Sequence, residues 1–403
     1  MSLPESTGPL RGVRVLDLTR VLAGPTCTQM LGDMGAEVIK IERPGAGDDT
    51  RGFAPPVMPG TAESAYFVGV NRNKRSVTLD IGSSEGQALV RRLIADSDIL
   101  VENFKVGALA KYGLGYEQLH RDFPGLIYCS ITGFGQTGPY AARPGYDSLI
   151  QAMGGVMSLT GEPEGLPQKV GIPVADVFAG LYGCIGVLAA LRHREATGIG
   201  QQVDIGMLDT HVAWLANQGM NYLATGENQP RLGNQHPNIV PYQVFATADG
   251  HIVLSVGNDP TFKRFCDGVG RPELLSDARF TTNAARVGNR QLVTDTLTSV
   301  MAEHPTQYWI EKLEALSIGC GPINKLSEVF ADPQVVARKA VVEMRHASGV
   351  DVKMIANPVR LSESPADYRL PPPTLGQHTD EVLQGKLGLT RDEIAALRSK
   401  GII

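Results

Sequence analysis

Apolar positions along this chain fall first into short runs and then into helical periods. "VRVLDL" (13–18), "AEVIKIE" (36–42), "SVTLDI" (76–81), "DILVENF" (98–104) and "LIYCSIT" (126–132) are runs of strand length. Helical patterns lie between them over 26–33 and 84–96. Strands alternating with helices predict an α/β fold with a doubly wound parallel sheet. The stretch "GIPVADVFAGLYGCIGVLAALRHR" (171–194) is apolar or small at nearly every position from Val174 to Leu191, and its one internal charge is Asp176. A pattern with no polar face predicts a helix buried on all sides. A second helix is expected over 207–224.

Further on the pattern changes. "YQVFATADGHIVLSVG" (242–257) sets Asp249-Gly250 between two apolar runs, a hairpin signal. Helical periods follow over 259–317, as in a smaller α+β domain. "RLPPPTLGQHTDEVL" (369–383) returns through a proline-rich extended stretch to a closing helix. The expected division is a large Rossmann-like domain over 1–205 completed by 335–403, a linker helix over 206–225, and the small domain over 226–334.

Composition narrows the partners. The 403 residues carry a net charge of −5, against the basic footprint of a nucleic-acid binder. Cys27, Cys129, Cys184, Cys266 and Cys320 lie far apart, odd in number and without C-x-x-C, so neither a disulfide framework nor a zinc site is expected. The histidines are scattered, without H-E-x-x-H, and no metal site is expected. The apolar helix starts with Asp176 and ends in Arg192, His193 and Arg194, which favours a core helix over a membrane span. The opening "MSLPESTGPLRG" lacks the basic-then-apolar pattern of a leader, so a cytoplasmic protein without a membrane partner is expected.

In an open parallel sheet, ligands bind beyond the carboxyl ends of the strands. There the sequence offers Arg20 to Pro25, Arg43 to Asp48, Asp80 to Gly82, Asn103 to Lys105, and "TGFGQTGPYAARPGYD" (132–147). Neither G-x-G-x-x-G nor G-x-x-x-x-G-K-[ST] occurs, against a nicotinamide or P-loop site. Separate cations do occur: Arg20, Arg43, Lys105, Lys111, and three more in "NRNKR" (71–75). They suit a ligand with several phosphates and an adenine; the alternative is a solvated charged face. Asp176 likewise has two readings. It is a carboxylate satisfying helix N–H groups and the dipole, or it is a nucleophile.

"VLDLTRVLAGPTCTQMLGDMGAEVIKIERPGAGDDTR", "NRNKRS", "VENF", "SITGFGQTGP", "RPGYD", "ADVFAG", "GNQHPNIVPYQVF", "GPIN" and "PPPTLGQHT" follow one another in the order found in class III CoA-transferases. The chain resembles that family, which includes formyl-CoA and carnitine CoA-transferases, over nearly its whole length. "RVLAGP", "PGAGDDTR", "YCSITG" and "IVPYQ" are nearest to the branch that moves CoA between succinate and glutarate.

The resemblance implies that Asp176 is the nucleophile, attacking an acyl-CoA thioester and then carrying CoA as an aspartyl thioester. A helix N-terminus would keep this carboxylate ionised at neutral pH, and the neighbouring Gly and Ala residues would let CoA approach. It further implies that Leu22, Ala23, Leu79, Asp80, Ile81, Gly82, Asn103, Phe104 and Lys105 line the CoA site. Arg43 would lie at the adenosine end, Lys111 near the phosphates, and Tyr146 and Asp147 beside the thioester. Arg20 is the candidate for a second carboxylate on the acceptor, a structural ion pair being its alternative. Substrates are then an acyl-CoA and a small carboxylic acid, with CoA as substrate, no tightly bound cofactor, and an interlocked, ring-like homodimer.

"RLGNQHPN" (231–238) holds Gly233 alone where formyl-CoA transferases carry a glycine-rich loop, which argues against formyl-CoA as substrate. Two rival functions are weighed. An α-methylacyl-CoA racemase would need a base pair at the α-carbon, and Tyr146 stands where that branch has histidine; a phenol of pKa about 10 is a poor base. A non-enzymatic acyl-CoA-binding protein would keep the cations and have no use for Asp176.

Overall fold

The computed structural model describes residues 6–403; the first residues of the segment examined for a leader lie outside them. Two compact units emerge. The first comprises the chain up to Gly155, Val170–Leu215 and Val336–Ile403; the second comprises Val156–Lys169 and Ala216–Val335.

In the first unit the order is β1 (Arg14–Asp17), α1 (Ala23–Asp33), β2 (Glu37–Glu42), α2 (Ala65–Gly69), β3 (Lys74–Thr78), α3 (Ser84–Ala95), β4 (Ile99–Glu102), α4 (Tyr116–Asp122), β5 (Ile127–Thr132) and α5 (Asp147–Met153). After α6 (Val156–Leu159), which belongs to the second unit, come α7 (Val174–Thr197), β6 (Gln202–Gly206) and α8 (Met207–Ala213). The six strands form one parallel sheet in the order β3-β2-β1-β4-β5-β6. The parallel α/β expectation holds.

Alternation along each strand splits the core. Val15, Val101 and Ile131 pack with Cys27 and Leu31 of α1 and Ala179, Val187 and Leu191 of α7. Leu16, Ile41 and Leu100 pack on the other face with Leu89, Leu93 and Ile94 of α3. A hairpin, β10 (Val341–Arg345) with β11 (Asp351–Ile355), also belongs to this unit, and two C-terminal helices cover Thr379–Leu387 and Arg391–Ser399.

The second unit holds α9 (Ala216–Thr225), the antiparallel sheet β7 (Tyr242–Ala246), β8 (His251–Ser255) and β9 (Gly319–Pro322), and α10 (Asp259–Gly268), α11 (Asn283–Gly288), α12 (Arg290–Met301) and α13 (Thr306–Ala315). The predicted Asp249-Gly250 turn joins β7 to β8. Phe245, Phe262, Phe265 and Trp309 fill its core.

Four expectations need correction. The helix over 207–224 is two helices: α8 stops at Ala213, and Ala216 has φ 46°, a left-handed conformation that interrupts the ladder. The third strand begins at Lys74 rather than Ser76, so "NRNKR" is no solvated face. Arg72, Lys74 and Arg75 are buried and paired with Asp33, Asp17 and Glu37 respectively. Buried charges need such partners, and these cations are taken up by the frame. α7 is not buried all round: Tyr182 and Ile185 are 39% and 60% exposed. By length and composition α7 is apolar enough to cross a membrane, but its inner face is built into the first unit's core. Finally, the glycines of α7 serve packing. A Cβ on Gly180 would lie 2.5 Å from the Ala23 carbonyl oxygen, and one on Gly183 would lie 3.0 Å from Ile131. These close approaches seat α7 on α1 and β5.

Candidate active site

Strand order reverses between β1 and β4, and such a switch point opens a crevice at the carboxyl ends of an open α/β sheet. Two cavities lie there. One, of about 340 Å³, is lined by Arg20, Arg43, Leu79, Asp80, Ile81, Gly82 and Phe104, among others. The other, of about 370 Å³, is lined by Arg20, Leu22, Ala23, Asn103, Phe104, Lys105, Tyr146, Asp147 and Asp176, among others. Arg20 and Phe104 border both. Every candidate site residue except Lys111 therefore lines one of two adjoining cavities. Lys111 is exposed, between Ala110 and Tyr112.

The turn after β1 is built by its neighbours. Asn103 Oδ1 accepts the Arg20 N–H at 2.9 Å, and Asn103 Nδ2 donates to the Arg20 carbonyl at 2.7 Å. Val21 has φ 70°, rare for a β-branched residue, and its N–H donates to Asp48 Oδ1 at 3.1 Å. Backbone strain of this kind persists where surrounding contacts over-determine it, as they do at many functional sites. Asp48 is itself held by the buried Lys40, 2.9 Å away, whose ammonium also donates to the Thr19 carbonyl at 2.7 Å. Burial alone would push Lys40 down, but Asp17, Asp48 and Glu42 together hold it above its ordinary value. Beside it, Lys74 pairs with Asp17 at 3.1 Å, and burial brings Lys74 down to about 8. None of this buried network was legible as such, because its members read as ordinary surface charges.

Asp176 stands in the first turn of α7, but the carboxylate capping that helix is another. Asp147 Oδ1 accepts the Ala175 N–H at 2.9 Å, and its Oδ2 accepts from Gln151 at 2.8 Å. The N-cap residue of α7, Pro173, provides no side-chain cap. Asp176 is thus not kept ionised by the helix end: burial first, and then the Asp147 charge, push its carboxyl up to about 7. Tyr66 senses the same charges. Burial, then Asp176, Asp147 and Asp48, raise its phenol to about 12, and its ring meets the cavity-lining Phe53 edge-on at 5.6 Å. Nothing in the sequence marks Tyr66.

Arg20 Nη1 lies 3.1 Å from Asp49 Oδ2, and its guanidinium carbon is 5.4 Å from the Phe104 ring centroid. The segment from Gly133 to Tyr146 is pinned at its base: a Cβ on Gly145 would sit 2.2 Å from the Gly133 Cα. That contact admits only glycine at both positions and fixes Tyr146 and Asp147 relative to β5. A cleft beside a chamber holding a perturbed, partly enclosed carboxylate is an arrangement for acyl chemistry on a long ligand.

The family model for CoA-transferase family III matches residues 10–379. Over 385 residues the chain is 47% identical to the succinate–glutarate CoA-transferase of Agrobacterium fabrum, covering 94% of this chain and 96% of that protein. It is 43% identical to the succinyl-CoA:glutarate CoA-transferase of Mus musculus over 99% of this chain and 91% of that one. The crystal structure of a CAIB/BAIF family protein from Brucella suis superposes with a TM-score of 0.83 at 45% identity, covering 94% of this chain and 99% of that chain.

Proposed function

This chain belongs to CoA-transferase family III and is an enzyme, and on that premise we propose that it moves CoA from succinyl-CoA to a dicarboxylate such as glutarate through an aspartyl-CoA intermediate on Asp176. The observation that carries this reading is the Asp176 carboxylate itself, perturbed and partly enclosed in a chamber adjoining the strand-end cleft.

In the proposed cycle an Asp176 oxygen attacks the thioester carbonyl carbon. The C–S bond breaks, giving a mixed anhydride and CoA thiolate. The thiolate attacks the Asp176 carbonyl of the anhydride; the C–O bond breaks, succinate leaves, and Asp176 holds CoA as a thioester. The acceptor carboxylate attacks that thioester, displacing the thiolate and forming a second anhydride. The thiolate then attacks the acceptor's carbonyl, releasing acceptor-CoA and restoring the Asp176 carboxylate. No net proton or electron is consumed, so no cofactor beyond CoA is needed. Splitting one exchange into such steps is the use of covalent catalysis.

Arg43, exposed and lining the cleft, and Lys111, next in sequence to the cleft-lining Tyr112, serve the phosphates and adenosine, while Leu79 to Gly82 line the cleft wall. Leu22, Ala23, Asn103, Phe104 and Lys105 line the route to the thioester, and Tyr146 and Asp147 border it. The exposed Tyr182 and Ile185 on α7 support a homodimer, since an apolar stripe of this kind favours coverage by protein. The interlocked, ring-like arrangement and the cytoplasm are part of the same proposal, following the family resemblance.

The test is incubation with succinyl-CoA and a panel of acids, read by mass spectrometry of the acyl-CoA products. Glutaryl-CoA should form with the wild type and not with Asp176→Ala. Absence of any new thioester, or its formation by the Ala variant, overturns the reading.

A further inference from the structure

Six charged side chains line the Asp176 chamber: Arg20, Asp49, Lys105, Arg143, Asp147 and Asp176. Arg20 is engaged by Asp49 at 3.1 Å, and Asp147 by the start of α7 and by Gln151. Among the described residues, Lys105 and Arg143 have no carboxylate partner. Lys105 is shared with a neighbouring cavity that contains Glu102. Arg143 lines the Asp176 chamber, and its guanidinium has no carboxylate on it among the described residues.

Arg143 is also pre-oriented. Its guanidinium carbon lies 3.9 Å from the Tyr140 ring centroid, and the Arg143 backbone N–H donates to the Tyr140 carbonyl at 2.8 Å. Tyr140 in turn meets the buried Phe134 edge-on at 5.6 Å. Stacking occupies the face of a guanidinium and leaves its edge, with the N–H fork, free for a carboxylate. The Gly133–Gly145 contact ties this segment to the end of β5.

Resting on the dicarboxylate reading above, the geometry points to Arg143 as the residue that binds the substrate's distal carboxylate. In the proposed cycle the reacting carboxylate is consumed at Asp176, while the distal one keeps its charge inside a chamber that already holds Asp147. Arg143, exposed on the chamber wall, offers that carboxylate a fork with no competing anion. Donor and acceptor acyl groups pass through the same anhydride position, so one residue serves both half-reactions. Arg20, already paired with Asp49, is left to border the two cavities.

The test compares kcat/KM for glutarate and butyrate in wild type, Arg143→Gln, Arg143→Lys and Arg20→Gln. In a double-displacement cycle, kcat/KM for the acceptor reports only the second half-reaction, so the donor's own carboxylate does not enter. Wild type should prefer glutarate by at least about tenfold, and Arg143→Gln should lower that ratio by about tenfold or more. Arg143→Lys, which keeps the charge and loses the fork, should fall between them. A ratio unmoved in Arg143→Gln, including equal loss on both acids from misfolding, overturns the assignment, as does collapse of the ratio in Arg20→Gln instead. Failure of the underlying reading shows separately, as a wild type that uses butyrate as well as glutarate or makes no thioester with either.

Discussion

Asp176→Asn removes a charge and keeps the shape of the side chain, and its effect on stability should depend on pH in a way the site dictates. Burial, and then Asp147, raise the Asp176 carboxyl from the ordinary 3.8 to about 7. In the unfolded chain the group ionises near its ordinary value. Between these two values the folded protein holds a proton that the unfolded chain has released. Stability is therefore fully present below the unfolded pKa, falls as pH rises toward the folded pKa, and is flat above it. At about 1.36 kcal/mol per pKa unit, the wild type should lose about 2–3 kcal/mol from this group between about pH 5 and about pH 8. The Asn variant cannot ionise and is spared that loss. Titrations common to both proteins cancel in their difference. Calorimetry across this range should show the Tm of the variant gaining on the wild type by several degrees, at about 2–4 °C per kcal/mol for a unit of this size. A Tm gap that is independent of pH, or that moves toward the wild type at alkaline pH, refutes the raised carboxyl.

Two further outcomes follow from the same geometry. Because Asp147 is the second cause of the Asp176 shift, Asp147→Asn should move the acid limb of the kcat/KM profile for acyl-CoA downward from about 7, while burial keeps it above 3.8; an unmoved or rising limb contradicts this. Arg43→Ala should weaken acyl-CoA binding by roughly ten- to a hundredfold, the loss of one charge-assisted hydrogen bond, read as a rise in KM for acyl-CoA at similar kcat; an unchanged KM removes Arg43 from the site.

Much of the fold was legible because its strongest signals are local. β1, β2, β4 and β5 are short apolar runs between helical periods, and the parallel order follows from that alternation. β3 was read two residues late because Lys74 and Arg75 look like surface residues, whereas each is buried against an acidic partner distant in sequence. β6 passed unread since Gln202 and Asp204 interrupt its two apolar residues, Val203 and Ile205. The hairpin β10–β11 carries charges such as Glu343 and Lys353, paired at 3.2 Å, on its exposed face, which masks the alternation.

The candidate site was visible at the strand ends because topology alone directs ligands there. Its electrostatics were not. Asp147 lies 28 residues from Ala175, whose N–H it accepts, and Asp49 lies 29 residues from the arginine it engages. Only folding reveals that the cap hydrogen bond at the start of α7 goes to Asp147 rather than Asp176, and that Arg20 is paired with a carboxylate while Arg143 is not.

The proposed cycle requires Asp176 to carry CoA as a covalent thioester between its two half-reactions. Wild-type protein held with succinyl-CoA, without acceptor, and then quenched with hydroxylamine should yield a hydroxamate on the peptide containing residue 176, located by tandem mass spectrometry. Adding glutarate before the quench should deplete it as the intermediate turns over. A hydroxamate on a different carboxylate, or none while glutaryl-CoA still forms, would contradict the account.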